Sequence, residues 1–90
     1  MTRIEQFADE AGLAVIIDRQ PHDIAWSARF GIGCACGSSL WLKDLGVAPQ
    51  AMAATAAQAL KDLIDVCRGK IIIKSDIERH EILVPEDLSL

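Results

Sequence analysis

The sequence has little aromatic content and no tyrosine; Phe7, Phe30, Trp26 and Trp41 are its only large aromatic anchors. It also lacks positive charge in excess, with nine Lys and Arg against 13 Asp and Glu and a net charge of −4. That balance argues against sequence-independent nucleic-acid binding, which rests on Lys and Arg neutralising phosphates. No apolar run approaches the roughly 18 residues of a membrane span. The longest, Ala51 to Ala59, is mostly alanine and is broken by Thr55 and Gln58. Met1-Thr2-Arg3-Ile4-Glu5-Gln6 lacks the basic-then-apolar order of a signal peptide. Three cysteines cannot all pair off, which predicts free thiols in a reducing compartment, the cytoplasm of a bacterial host. There is no internal repeat and no linker-like stretch.

What is present is a folding sequence. Apolar residues make up 51% of the chain and charged residues 24%, the proportions of a packed domain. Residues 1–90 are expected to form one small domain. A chain of this length buries only about 60% of the surface its unfolded form exposes, so it is marginally stable alone.

The residue pattern predicts an α+β fold. Thr2 with Glu5 forms a capping box, Ile4, Phe7, Ala8 and Ala11 line one face of a short helix, and Gly12 caps its end. Leu13 to Arg19 reads as a strand, Gln20-Pro21-His22-Asp23 as a turn, and Ile24 to Phe30 as an alternating strand with Ile24, Trp26, Ala28 and Phe30 on one side. Three glycines between Gly31 and Gly37 suggest a bulge or loop, with a third strand around residues 34–42. Pro49 suits the first turn of a long helix running to about Arg68. Met52, Ala56, Ala59, Leu60, Leu63, Ile64 and Cys67 would form its buried stripe. Lys70 to Lys74 and Ile77 to Val84 read as strands, and Glu86-Asp87-Leu88 as a final turn. The expected architecture is an antiparallel sheet of four to five strands packed on one long helix and a short N-terminal helix.

No motif carries catalysis. Cys34-x-Cys36 with Cys67, His22 or His80 falls short of a zinc pattern because no second close pair follows, and Cys67 falls on an apolar helix face. A thiol nucleophile at Cys34 or Cys36, with a histidine as base, has no sequence feature that brings the groups together. The Gly31-x-Gly33-x-x-x-Gly37 spacing is followed by extended residues and not by the helix a phosphate site needs. No catalytic residue, metal or cofactor is therefore assigned. Two surface features stand out. Asp76, Glu78, Glu81, Glu86 and Asp87 make the tail locally acidic, as either a solvated hairpin or a docking surface for a basic partner. Alternation points Trp41 away from Leu40 and Leu42; if those two face the core it lies at the surface or in an interface, and the alternative is a core packed on both sides of the sheet.

The order strand–strand–strand–helix across residues 13–68 resembles two small folds. One is the double-stranded-RNA-binding domain, whose signature basic residues at the start of the last helix are replaced here by Ala48-Pro49-Gln50-Ala51, so binding of RNA is not implied. The other is the HicB-type antitoxin domain, whose Asp-Leu-Pro-Gly-Cys-like loop this chain lacks. An alanine-rich helix (Ala51 to Ala59), a short strand Ile71 to Lys74, a turn, and a closing strand ending in Val84-Pro85-Glu86-Asp87-Leu88 are similar in layout to some small phage-encoded anti-CRISPR proteins. That resemblance implies a non-enzymatic inhibitor that occludes a protein or nucleic-acid-binding surface of a CRISPR-Cas surveillance complex. The expected contacts are Trp41, Asp76, Glu78, Glu81, Glu86 and Asp87, and the expected partner is a host protein or nucleoprotein complex, with no direct nucleic-acid or membrane binding. The alternatives are a cysteine-dependent enzyme or metal protein using Cys34 and Cys36, and a HicB-like interaction domain. High alanine content also makes a homodimer plausible, because pairing buries further apolar area.

Overall fold

The computed structural model describes residues 2–19, 22, 24–32, 39–75 and 78–90. Helix α1 spans Arg3–Ala11. Thr2 caps it by accepting from the Glu5 N–H at 3.3 Å, and Gly12 ends it in the left-handed region at φ 70°, which an L side chain rarely adopts. Strands β1 (Ala14–Asp18) and β2 (Trp26–Gly31) follow as an antiparallel pair with Ile16 opposite Arg29. Strands β3 (Ser39–Leu42) and β4 (Gln50–Ala53) are joined through a turn in which the Gly46 N–H donates to the Leu42 carbonyl at 2.8 Å. Helix α2 covers Ala56–Cys67, and β5 (Ile71–Ser75) and β6 (Arg79–Leu83) close the order.

These strands form two antiparallel three-stranded sheets, sheet A in the order β1-β2-β4 and sheet B in the order β3-β5-β6. The α+β class is as the sequence indicates, but two smaller sheets replace the single one expected. The reason lies in residues 49–53. They pair with β2, Trp26 opposite Ala53 and Arg29 opposite Gln50, instead of forming the first turn of a long helix. The helix begins at Ala56 because Thr55, in an extended conformation, accepts from the Gln58 N–H at 3.1 Å and supplies the cap that residue 48 cannot. A gain in cross-strand pairing thus overrides alanine's helix propensity. Met52, assigned by periodicity to a buried helix stripe, lies instead on the open side of sheet A and is 59% exposed. Ile24 precedes β2 and is 93% exposed, so it takes no part in the inward row of Trp26, Ala28 and Phe30.

One core lies between the elements. Ile4 and Ala8 of α1, Ala28 and Phe30 of sheet A, Ala59, Leu63, Ile64 and Cys67 of α2, and Leu42, Ile72 and Val84 from sheet B and its exit are all buried. Phe7 meets Phe30 edge-on, with ring centroids 5.7 Å apart. Helix α2 packs on β2 and β4, where Ala51 and Ala53 face the core and their small side chains admit close approach.

The strand assignment of Met52 has a measurable consequence. Leu63→Ala, at a fully buried site, is expected to cost about 2–5 kcal/mol in urea unfolding. Met52→Ala is expected to stay within about 0.5 kcal/mol of wild type, whereas a loss comparable to that of Leu63→Ala would restore the buried-helix assignment.

Candidate functional site

Antiparallel pairing sorts the side chains of sheet B onto two sides. Leu42, Ile72 and Ile82 turn inward, so Trp41, Ile73 and Glu81 form a row across the outer side, with Ile71 and Leu83 in the adjacent row. Ile73 is fully buried although it points away from the main core, flanked by its cross-strand neighbours Trp41 and Glu81. Leu83 is 66% exposed and Trp41 is half-buried. The Lys43 ammonium reaches the Glu81 carboxylate at 2.5 Å, so an ion pair links the two outer strands across the central one. This side of the sheet combines exposed apolar surface, one indole and a charge pair. Among the described residues it brings no nucleophile and base into contact.

The residues singled out by sequence are separated by the fold. Trp41 and Glu81 come together on the outer side of sheet B. Glu78 stands 3.9 Å from the His80 imidazole, at the entry to β6. Glu86 lies against Gly69 just past the end of α2, and Asp87 lines a depression with Arg3, Gln6, Phe7 and Glu10 of α1. Asp76, Cys34 and Cys36 lie outside the described residues. The described acids of the tail are thus distributed over four places, because alternation along β6 and the turn after Pro85 send neighbouring carboxylates in different directions. Leu83 and Lys43 were missed by sequence reasoning. Leu83 fell within the strand read over Ile77 to Val84 with no side assigned to it, and its register opposite Ile71 places it on the outer side.

The opposite surface, the outer side of sheet A, carries a second polar group. Asp18 accepts from Ser27 Oγ at 2.5 Å and from Arg29 at 3.1 Å. The Ser27 hydrogen bond, then the Arg29 hydrogen bond and charge, hold the Asp18 carboxyl below its ordinary range. The Lys43 ammonium does the same for Glu81, by hydrogen bond first and by charge second. Both carboxylates are ionised and partnered, an arrangement that suits a surface more than an acid–base pair.

Cys67 is fully buried on α2, as its place on an apolar face indicates, and burial pushes its thiol up to about 11. A thiol held protonated among apolar side chains is inert as a nucleophile. Among the described residues no group of three His, Cys, Asp or Glu is placed to hold a metal ion. Among the same residues no helix is long and apolar enough to cross a membrane. No protein-family model matches the chain, and neither does any curated protein or solved structure.

Two pH effects follow from these environments. The lowered carboxyls of Asp18 and Glu81 add stability that is complete above their ordinary values of 3.8 and 4.5 and is lost as pH falls through the depressed folded values. In acid titrations followed by circular dichroism, Asp18→Asn and Glu81→Gln are each expected to flatten the loss of stability below pH 4.5, and an unchanged acid limb would contradict the pairing. The raised Cys67 thiol acts in the other direction. Above its ordinary value of 9.0 the unfolded chain releases a proton that the folded chain keeps, so stability falls as pH rises through 9 toward 11. Iodoacetamide at pH 8 is expected to leave Cys67 unmodified in the native protein and to label it on unfolding; rapid native labelling would contradict the burial.

Proposed function

We propose that this chain is a binding protein that works without catalysis, docking the outer side of sheet B onto an apolar surface of a larger assembly and occluding it. One observation carries the reading: Leu83, two-thirds exposed, and Trp41 lie on the same open side of one sheet, where a buried-aromatic contact would be made in a complex. Trp41 would be the anchor, Leu83 its apolar neighbour, and the Lys43–Glu81 pair the polar margin that fixes orientation. The net charge of −4 favours a partner with basic character around that apolar surface. A bacterial CRISPR-Cas surveillance complex is the partner suggested by the layout resemblance, since its nucleic-acid-binding surfaces are basic. That resemblance counted residues 51–53 in its alanine-rich helix; they form β4, so it rests on α2, β5, β6 and the Val84–Leu88 ending.

A second reading has its own observation. Strands β1, β2 and β4 followed by α2 packed on one side keep the strand–strand–strand–helix order of a HicB-type domain, with β4 and not β3 as third strand. Both readings are of an interaction domain without enzymatic activity. They differ in partner, a surveillance complex in one and a toxin protein in the other.

The test is target-DNA binding by purified surveillance complexes with and without the protein. Inhibition is expected, with an association rate that falls as salt rises from about 0.05 to about 0.5 M. The double variant Trp41→Ala, Leu83→Ser is expected to weaken inhibition roughly tenfold or more while its circular dichroism is unchanged. Undiminished DNA binding across the complexes, with no association by the protein, would overturn the surveillance-complex reading.

A further inference from the structure

Beyond the outer side of sheet B, the described strands leave four edges, and they are not equivalent. Strand β6 carries Arg79, His80 and Glu81 within its five residues, the charged composition that blunts an edge against pairing. Strand β4 is entered through Pro49, which has no N–H to donate, and β3 has only four residues. Strand β1 is different. Ala14-Val15-Ile16-Ile17-Asp18 is apolar until its last residue, contains no proline, and pairs with β2 on one side only. Among the described residues no backbone group outside β2 bonds to the peptide groups of β1. Ile17 is 40% exposed there.

The surroundings of this edge are charged in a complementary way. At its start, Leu13, Ala14 and Val15 share a groove with Glu5, Ala8 and Asp9 of α1. Neither Glu5 nor Asp9 has an ion-pair partner among the described residues. At its far end Arg19 lies 5.4 Å from the centre of the Trp26 ring, exposed and without a carboxylate partner among those residues. Each copy of the chain therefore carries, among its described residues, two acids without an ion-pair partner at one end of a largely apolar five-residue edge and a guanidinium without a carboxylate partner at the other.

We propose that β1 is the dimerisation edge of this protein, pairing antiparallel with β1 of a second copy about a two-fold axis through Ile16. This register alone pairs all five strand residues: Ile16 with Ile16 of the second copy, Val15 with Ile17, and Ala14 with Asp18. No like charges meet. The residue after the strand, Arg19, then stands opposite Leu13 of the second copy. Arg19 shares the side of the sheet on which Trp26 and Phe30 lie, the side that α1 covers through Phe7 and Phe30. Swung from the Trp26 ring across the pairing, the guanidinium reaches the groove lined by Glu5 and Asp9, twice per dimer by symmetry. The two copies of sheet A become one six-stranded sheet, and the exposed edge at Ile17 is covered.

Sedimentation equilibrium of the full chain across the micromolar range tests this, with a charge swap to identify the interface. The wild type is expected to be a dimer. Arg19→Glu and Asp9→Lys are each expected to weaken self-association roughly tenfold or more, since each places like charges across both ends of the pairing. An equimolar mixture of the two variants is expected to recover the dimer, because the mixed pair restores one native and one reversed contact. Recovery on mixing also shows that neither variant merely fails to fold. A monomeric wild type would overturn the proposal, as would a dimer indifferent to both variants. Binding of an extended Lys-rich peptide by monomeric wild type and by Arg19→Glu, but not by Asp9→Lys, would also overturn it and give the edge to a foreign strand.

Discussion

The antiparallel ladder between β2 and β4 is the contact on which the rest of the molecule depends. Without it sheet A would be a two-stranded hairpin, which is marginal in water. With it, Trp26, Ala28 and Phe30 are held in a row with Ala51 and Ala53, and that small-residue surface receives α2. The ladder also fixes where the helix starts. Once Gln50–Ala53 is extended, the chain must turn at Ala54 and Thr55, and the Thr55 hydroxyl is placed to cap the next turn. It fixes where β3 goes as well. Because β4 occupies the free edge of β2, β3 finds its partner in β5, and a second sheet forms around the same core.

Two sheets sharing one core have two outer sides, and the two helices found among the described residues both pack on the inner sides. The open surfaces are thus a consequence of size and topology. What distinguishes them is chemistry. The outer side of sheet A is polar around Asp18, Ser27 and Arg29, whereas that of sheet B presents Trp41 and Leu83 with a single ion pair. Asp18 on the one and Glu81 on the other are partnered and ionised, and the described thiol is sealed in the core.

Local signals were readable from sequence wherever one short segment decided the outcome. Thr2 and Gly12 bracket α1, alternation sorts Trp26, Ala28 and Phe30 from Ser27 and Arg29, and Cys67 falls on the buried stripe of α2. Alternation set Trp41 against Leu40 and Leu42, but which of the two sides faces the core came only with the fold. Strand β4 was not readable. Gln50-Ala51-Met52-Ala53 has no β-branched or aromatic residue, and its pairing with residues 26–29 is a long-range contact that no local propensity encodes. The acidic tail misled for the same reason. Closeness in sequence between Glu81, Glu86 and Asp87 says nothing about a shared surface once a strand ends and the chain turns at Pro85.

Nuclear Overhauser contacts between backbone protons of residues 26–29 and 50–53 test the central claim most directly. The account predicts cross-strand contacts between Ser27 and Met52 and between Ala28 and Ala51, with helical contacts beginning only after Thr55. Helical contacts running without a break from Pro49 through Ala56, and no cross-strand contact to β2, would contradict it, and with it the two-sheet arrangement that creates the proposed surfaces.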